Sequence, residues 1–233
     1  MNDLNDAAWA QAELDEWQQI LEGEAMKIPT KGGVDFEPAP EGNHIGICIA
    51  LADLGLQPGS SLYPNPKREV WLRFELPTER IQWTTKDGED KEGPLTLSRR
   101  FTASMHETAN LRKFIESWFG RKFPNDAAAG DFDLEKLLGR KCLLNVTHSE
   151  KMGRKFADIA NATPIPKGMN ADYPQYNPSV YYSIDKPNPA AFELLPGWVQ
   201  EKINGRLVVD KPASNRTSGA PAAVEDFDDS IPF

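Results

Sequence analysis

From Arg68 to Leu76 the side chains alternate without a break. Val70, Leu72, Phe74 and Leu76 fall on one parity, and Trp71, Arg73 and Glu75 on the other. Successive side chains of an extended chain point to opposite faces, so this stretch reads as a strand with one face on a core. The same period returns over His44–Leu54, where Ile45, Ile47, Ile49 and Leu51 alternate with Gly46, Cys48, Ala50 and Ala52. A third strand is expected over Leu95–Ala103. The loops between them are Gly55–Pro66, rich in turn residues, and the polar Pro77–Pro94.

The period then lengthens. Ser104-Met-His-Glu107 fits a capping box, which predicts a helix start there. Leu111, Phe114, Ile115 and Trp118 share one helical face, and Gly120 supplies the stop. A short helical piece is expected at Asp133–Leu138. Lys141–His148 and Lys155–Ala162 flank the polar turn 149–154 and predict a hairpin. Three strands, a helix and two strands make a mainly β (α+β) domain, and the order fits a five-stranded OB-fold barrel with its helix between strands 3 and 4, though other small α+β domains also use five strands and a helix.

Appendages flank this body. Leu14, Trp17, Ile20 and Leu21 within residues 4–22 predict an acidic amphipathic helix that packs on the body or binds a partner. The expected division is an N-terminal helix and linker (1–40), the barrel (41–168) and a C-terminal arm wrapping it (169–211). A flexible linker (212–224) and an acidic tail (225–233) follow. In the arm, Leu195, Trp198, Val199 and Ile203 are placed to pack down from a short helical end.

Charge follows the same division. The chain carries a net −9, yet residues 1–39 hold 2 basic and 9 acidic side chains, residues 40–168 hold 19 and 17, and residues 169–233 hold 5 and 9. The acidity is in the ends, which leaves a body compatible with nucleic acid. Cys48 and Cys142 lie in apolar runs and read as buried thiols of a reducing compartment. No stretch approaches a membrane span or a signal peptide, so the expectation is a soluble, cytoplasmic protein.

Binding of unpaired strands needs aromatic faces for bases and cations for phosphates. Trp71 and Arg73 share the polar parity of their strand and are the first candidates; burial of Trp71 under the C-terminal arm is the competing reading. Arg99 and Arg100 are adjacent and face opposite ways, so without a bulge at most one reaches a groove. At the last hairpin Lys151, Arg154 and Lys155 cluster, and Phe156 faces out beside Arg154 if Ile159 faces in. Tyr63 and Trp83, on the other loops, complete the set. No catalytic apparatus is expected. His44, His106 and His148 lack ligand partners at metal spacing, Asp133 reads as a helix N-cap rather than as a metal partner of Asp131, and no phosphate loop or nucleophile elbow occurs. No cofactor and no metal are implied.

The tail Asp226-Phe-Asp-Asp-Ser-Ile-Pro-Phe233 joins four acids, Glu225 included, to an apolar end. It resembles the tail of bacterial single-stranded DNA-binding proteins, with Ser230 where that family commonly has another acid. The resemblance implies that Asp226, Phe227, Asp228, Asp229, Ile231, Pro232 and Phe233 recruit replication, recombination or repair enzymes. Leu97-Ser-Arg-Arg-Phe-Thr, the stretch Asn110–Phe123, Phe132-Asp-Leu, Leu137–His148 and Pro164–Met169 extend the likeness. Over about residues 42–205 the chain is similar to an OB-fold family of bacteriophage and prophage genomes that includes single-stranded DNA-binding proteins. The function expected is non-specific coating of single-stranded DNA by a monomer or dimer, with the acidic tail competing for the DNA groove when no strand is bound. The alternative is an adaptor whose barrel binds a protein and whose tail mimics that of the host protein.

Overall fold

The computed structural model describes residues 37–208, apart from 62, 85–87 and 152. The helix expected over 4–22, the linker and the tail lie outside the described residues, as does the Lys151 side chain. The described strands are β1 (Gly42–Gln57), β2 (Lys67–Thr84), β3 (Asp90–Thr102), β4 (Lys141–Lys151), β5 (Arg154–Thr163) and β6 (Val180–Tyr182). The helices are α1 (Asn110–Phe119), α2 (Asp126–Gly130), α3 (Pro189–Glu193) and α4 (Gly197–Asn204), with a 3-10 turn at Leu134–Leu137. Among the described residues no helix is long and apolar enough to cross a membrane.

The architecture is mainly β. An antiparallel sheet runs in the order β3-β2-β1-β4-β5 and curls strongly, with α1 between β3 and β4 in the chain. Its bend is built into β1. Gly42–Ile47 pair with β4, and Ile47–Gln57 pair with β2. A register shift between Cys48 and Ala50 inserts one residue, the usual means by which a strand turns a corner. The shift also changes which side chains face in. Cys48 and Leu51 join the inner core, whereas Ala50, Ala52 and Leu54 face outward into a second cluster. The single unbroken alternation expected for this strand is therefore interrupted at Ile49.

The inner core sits between the curled sheet and α1. Val70, Leu72, Phe74 and Leu76 of β2 meet Leu111, Phe114, Ile115 and Trp118 of α1, all at 4% exposure or less. Each such side chain contributes about 1.5–3 kcal/mol by leaving water. Gly120 ends α1 at φ 65°, a conformation that a side chain disfavours; its N–H and that of Arg121 bond the Ser117 and Glu116 carbonyls. The second cluster lies on the other face of β1 and β2. There β6 pairs in parallel with Ala50–Ala52, on the edge of β1 that β4 has left, and Tyr182, Leu195, Val199 and Ile203 pack onto Trp71 and Leu54.

Two sequence expectations about elements need correction. The helix begins at Asn110, not at Ser104, whose hydroxyl instead accepts from the His106 N–H in a turn before Ala109. The polar stretch Pro77–Pro94 is largely strand rather than loop: β2 runs on to Thr84 and pairs with β3 back to Asp90. Pro77 was a misleading stop. It falls where the register shifts between Leu76 and Arg80, a place where the missing N–H breaks no regular ladder.

Candidate nucleic-acid interface

The outward face of β2 is occupied by the protein itself. Trp71 is 1% exposed beneath the arm, and its Nε1–H finds no acceptor among the described residues. Glu75 is fully buried and accepts from the Tyr176 N–H at 2.7 Å, the Asn177 N–H at 2.9 Å and Asn177 Nδ2 at 2.8 Å. Between them Arg73 donates to Thr96 Oγ1, and its burial lowers the guanidinium pKa from the usual value. Trp71 is thus not open to a base, and the first-ranked sequence candidate is corrected to an anchor for the arm. The alternation located the face properly; what covers it comes from more than a hundred positions later in the chain.

Arg99 is likewise redirected. It stands opposite Leu72 on the inner parity, at the seam between β3 and β5. Its Nη1 donates to the Ile159 carbonyl at 2.8 Å and the Ala160 carbonyl at 2.7 Å, and the guanidinium lies 4.8 Å from the centre of the Phe101 ring. Desolvation lowers its pKa, against an opposing pull from Asp158. These contacts hold the seam and commit Nη1 to backbone carbonyls. Arg100 faces outward and half-exposed, paired with Glu69 at 3.2 Å.

The β4–β5 hairpin keeps its expected character. Ile159 is buried at 4%, so the opposite parity of β5 faces out, and Phe156 is 45% exposed. Arg154, Phe156 and Asp158 share that outward parity, and Lys151 sits across the ladder from Arg154. Lys155 falls on the other parity, opposite Glu150. Arg154 and Lys155 are exposed and form no ion pair among the described residues. Gly153 at φ 68° permits the tight turn that brings these groups together. Residues 147–151 extend past the last β1 partner, Gly42, so this tip stands clear of the sheet.

A second projecting hairpin is formed by β2 and β3, and it leaves the sheet at the same end, where β1 begins. His44 Nδ1 contacts Glu79 of this hairpin at 3.1 Å, while Glu41 accepts from the His148 N–H of β4 at 2.8 Å. The start of β1 is therefore tied to both. Trp83 is half-buried on this hairpin against Gly93, where an added Cβ would come within 3.0 Å of the indole. Tyr63 is 51% exposed in the β1–β2 loop, with Lys67 Nζ 5.5 Å from its ring centre.

Sequence reasoning missed Tyr176 and Arg80. Tyr176 is 60% exposed, Arg80 lies 5.5 Å from its ring centre, and its hydroxyl donates to the Glu92 carbonyl at 3.1 Å. Arg80 also pairs with Glu92 at 2.8 Å. The polar, tyrosine-rich composition of 170–185 was the available signal; its docking on this hairpin was not. Among the described residues no group of three or more His, Cys, Asp or Glu side chains is placed to hold a metal ion. Compared with models of known protein families and with curated proteins, the chain matches none.

Proposed function

We propose that this chain binds single-stranded DNA through an OB-type barrel, with the β4–β5 hairpin rather than the outward face of β2 as the main contact. Phe156 carries the reading: a large ring 45% exposed on a tip that also bears Arg154 and Lys155. Such a ring stacks on any base, at about 1–3 kcal/mol per base, while the cations meet phosphate without regard to sequence. The strand order and the α1 position support the barrel assignment, and hairpins of this kind are what OB-folds use to grip oligonucleotides. The acidic tail would then bring replication, recombination or repair enzymes to the coated strand. Anisotropy of a fluorescent oligo(dT) tests it: the reading requires binding at low salt that weakens steeply as salt is raised.

One observation favours the second reading, a protein-binding adaptor. The arm seals Trp71 and consumes Glu75, so the sheet face that a DNA-binding barrel commonly offers is closed. An oligonucleotide that causes no change in anisotropy at low salt selects this reading.

A further inference from the structure

A cavity of about 470 Å³ opens beside the C-terminal end of α1. Phe119, Phe123 and Phe132 form its walls, each half-buried, with Ile115 at the base. The rings brace one another: Phe123 and Phe132 have centroids 5.4 Å apart, and Phe119 and Phe132 6.0 Å. The volume lies in the range of preformed small-ligand sites, roughly 300–1,000 Å³. Its rim is basic. Arg121 and Lys122 are exposed at the lip, and the Arg140 guanidinium lies 5.3 Å from the centre of the Phe119 ring. The one acid in the lining, Glu116, already accepts from Arg112 Nε at 3.0 Å and the Phe123 N–H at 3.1 Å. An apolar, aromatic hole with exposed cations at its edge calls for an aromatic residue flanked by acids.

The chain contains such a segment outside the described residues. Residues 225–233 combine Glu225, Asp226, Asp228 and Asp229 with Phe227, Ile231 and Phe233. The 17 residue steps from Val208 to Glu225 reach as far as about 55–60 Å at 3.3–3.6 Å per residue. A body of this size has a radius of gyration of about 15 Å, so every face is within reach. The amphipathic segment 4–22 is also acidic, but a helix needs a long groove, and this cavity admits one or two side chains.

We infer that residues 225–233 dock on their own chain in this cavity, a Phe ring between Phe119, Phe123 and Phe132 and the acids on Arg121 and Lys122. The site is separate in sequence and element from the β4–β5 hairpin, and the inference does not require that the protein bind DNA. Docking withholds the segment from other proteins until something with a stronger grip on it competes.

The test uses the full chain with a photo-crosslinking benzoylphenylalanine at position 233, irradiated at low protein concentration and mapped by mass spectrometry. Docking predicts links within a single chain to residues 115–132, reduced severalfold by the double charge reversal Arg121→Glu/Lys122→Glu and by high salt. Both reversed residues are exposed, so the fold is retained, which circular dichroism checks. Links to the β4–β5 hairpin, links only between two chains, no links, or links indifferent to the reversal each overturn the inference. The same probe at position 17 linking to this cavity, with none from 233, overturns it in favour of the N-terminal segment.

Discussion

Trp198 meets Trp71 edge to face, with ring centroids 5.7 Å apart and planes at 90°. Trp198 is itself 44% exposed, so it forms the lid over the indole that β2 turns outward. Replacing it, Trp198→Ala, removes the edge contact and lets water reach Trp71. Such pairs are worth about 0.5–1.5 kcal/mol beyond the area they bury. The variant should lose about 1–2 kcal/mol in urea unfolding, and the remaining tryptophan emission should move to the red. An unshifted spectrum with unchanged stability would mean that Trp71 is shielded by something else.

Glu75 acts as the other clasp on the arm. Removing its carboxylate by Glu75→Ala strands the Tyr176 and Asn177 N–H groups in a buried site. Each orphaned donor costs about 1–3 kcal/mol when water cannot reach it. Hydrogen exchange across 170–185 should accelerate while that of β1 and β4 stays slow. Equal exchange in variant and wild type would remove Glu75 from this role.

Arg99 gives a test that separates seam from groove. Arg99→Ala deletes the bonds to the Ile159 and Ala160 carbonyls and should lower stability by about 2 kcal/mol, within the range for charge-assisted bonds. Its oligonucleotide affinity should match that of wild type under conditions where both are folded. A stable variant that no longer binds would put Arg99 back in the DNA groove.

Which parts of this were legible in the sequence follows a physical line. Parity is local, so Val70–Leu76, the α1 stripe and the outward turn of Phe156 were readable from short windows. The bulge at Ile49 was not, because nothing in an apolar run marks where one residue is inserted. Trp71 shows the larger limit. Alternation says which side of a strand a residue faces, but whether that side meets water depends on what returns to cover it. Leu195, Val199 and Ile203 were recognised as packing residues, yet their target on β1 and β2 rests on long-range contacts no local pattern encodes. Arg99 fails for a related reason: at a seam the inner parity reaches another strand's carbonyls instead of apolar side chains.

The thiols make a prediction about pH. Burial pushes Cys48 up to about 12, and burial chiefly, with Cys48 nearby, raises Cys142 as well. An unfolded thiol titrates near 8.5. Above that value the unfolded chain releases protons that the folded one keeps, so this contribution to stability is full below about 8.5 and is lost as pH rises toward the folded value. Native protein at pH 8 should leave both cysteines unmodified by a thiol reagent, and both should react once urea unfolds it. Modification of either at the native rate of a free thiol contradicts the burial.

The hairpin is tested most directly by the affinity of the full chain for a fluorescent oligo(dT), measured by anisotropy at low salt for wild type and Phe156→Ala. Loss of one stacked base, about 1–3 kcal/mol, corresponds to roughly 5- to 150-fold weaker binding. A loss in that range is expected, with Arg154→Ala and Lys155→Ala each lowering affinity and flattening the salt dependence. Wild-type binding that Phe156→Ala leaves intact, or no binding by wild type at all, contradicts it.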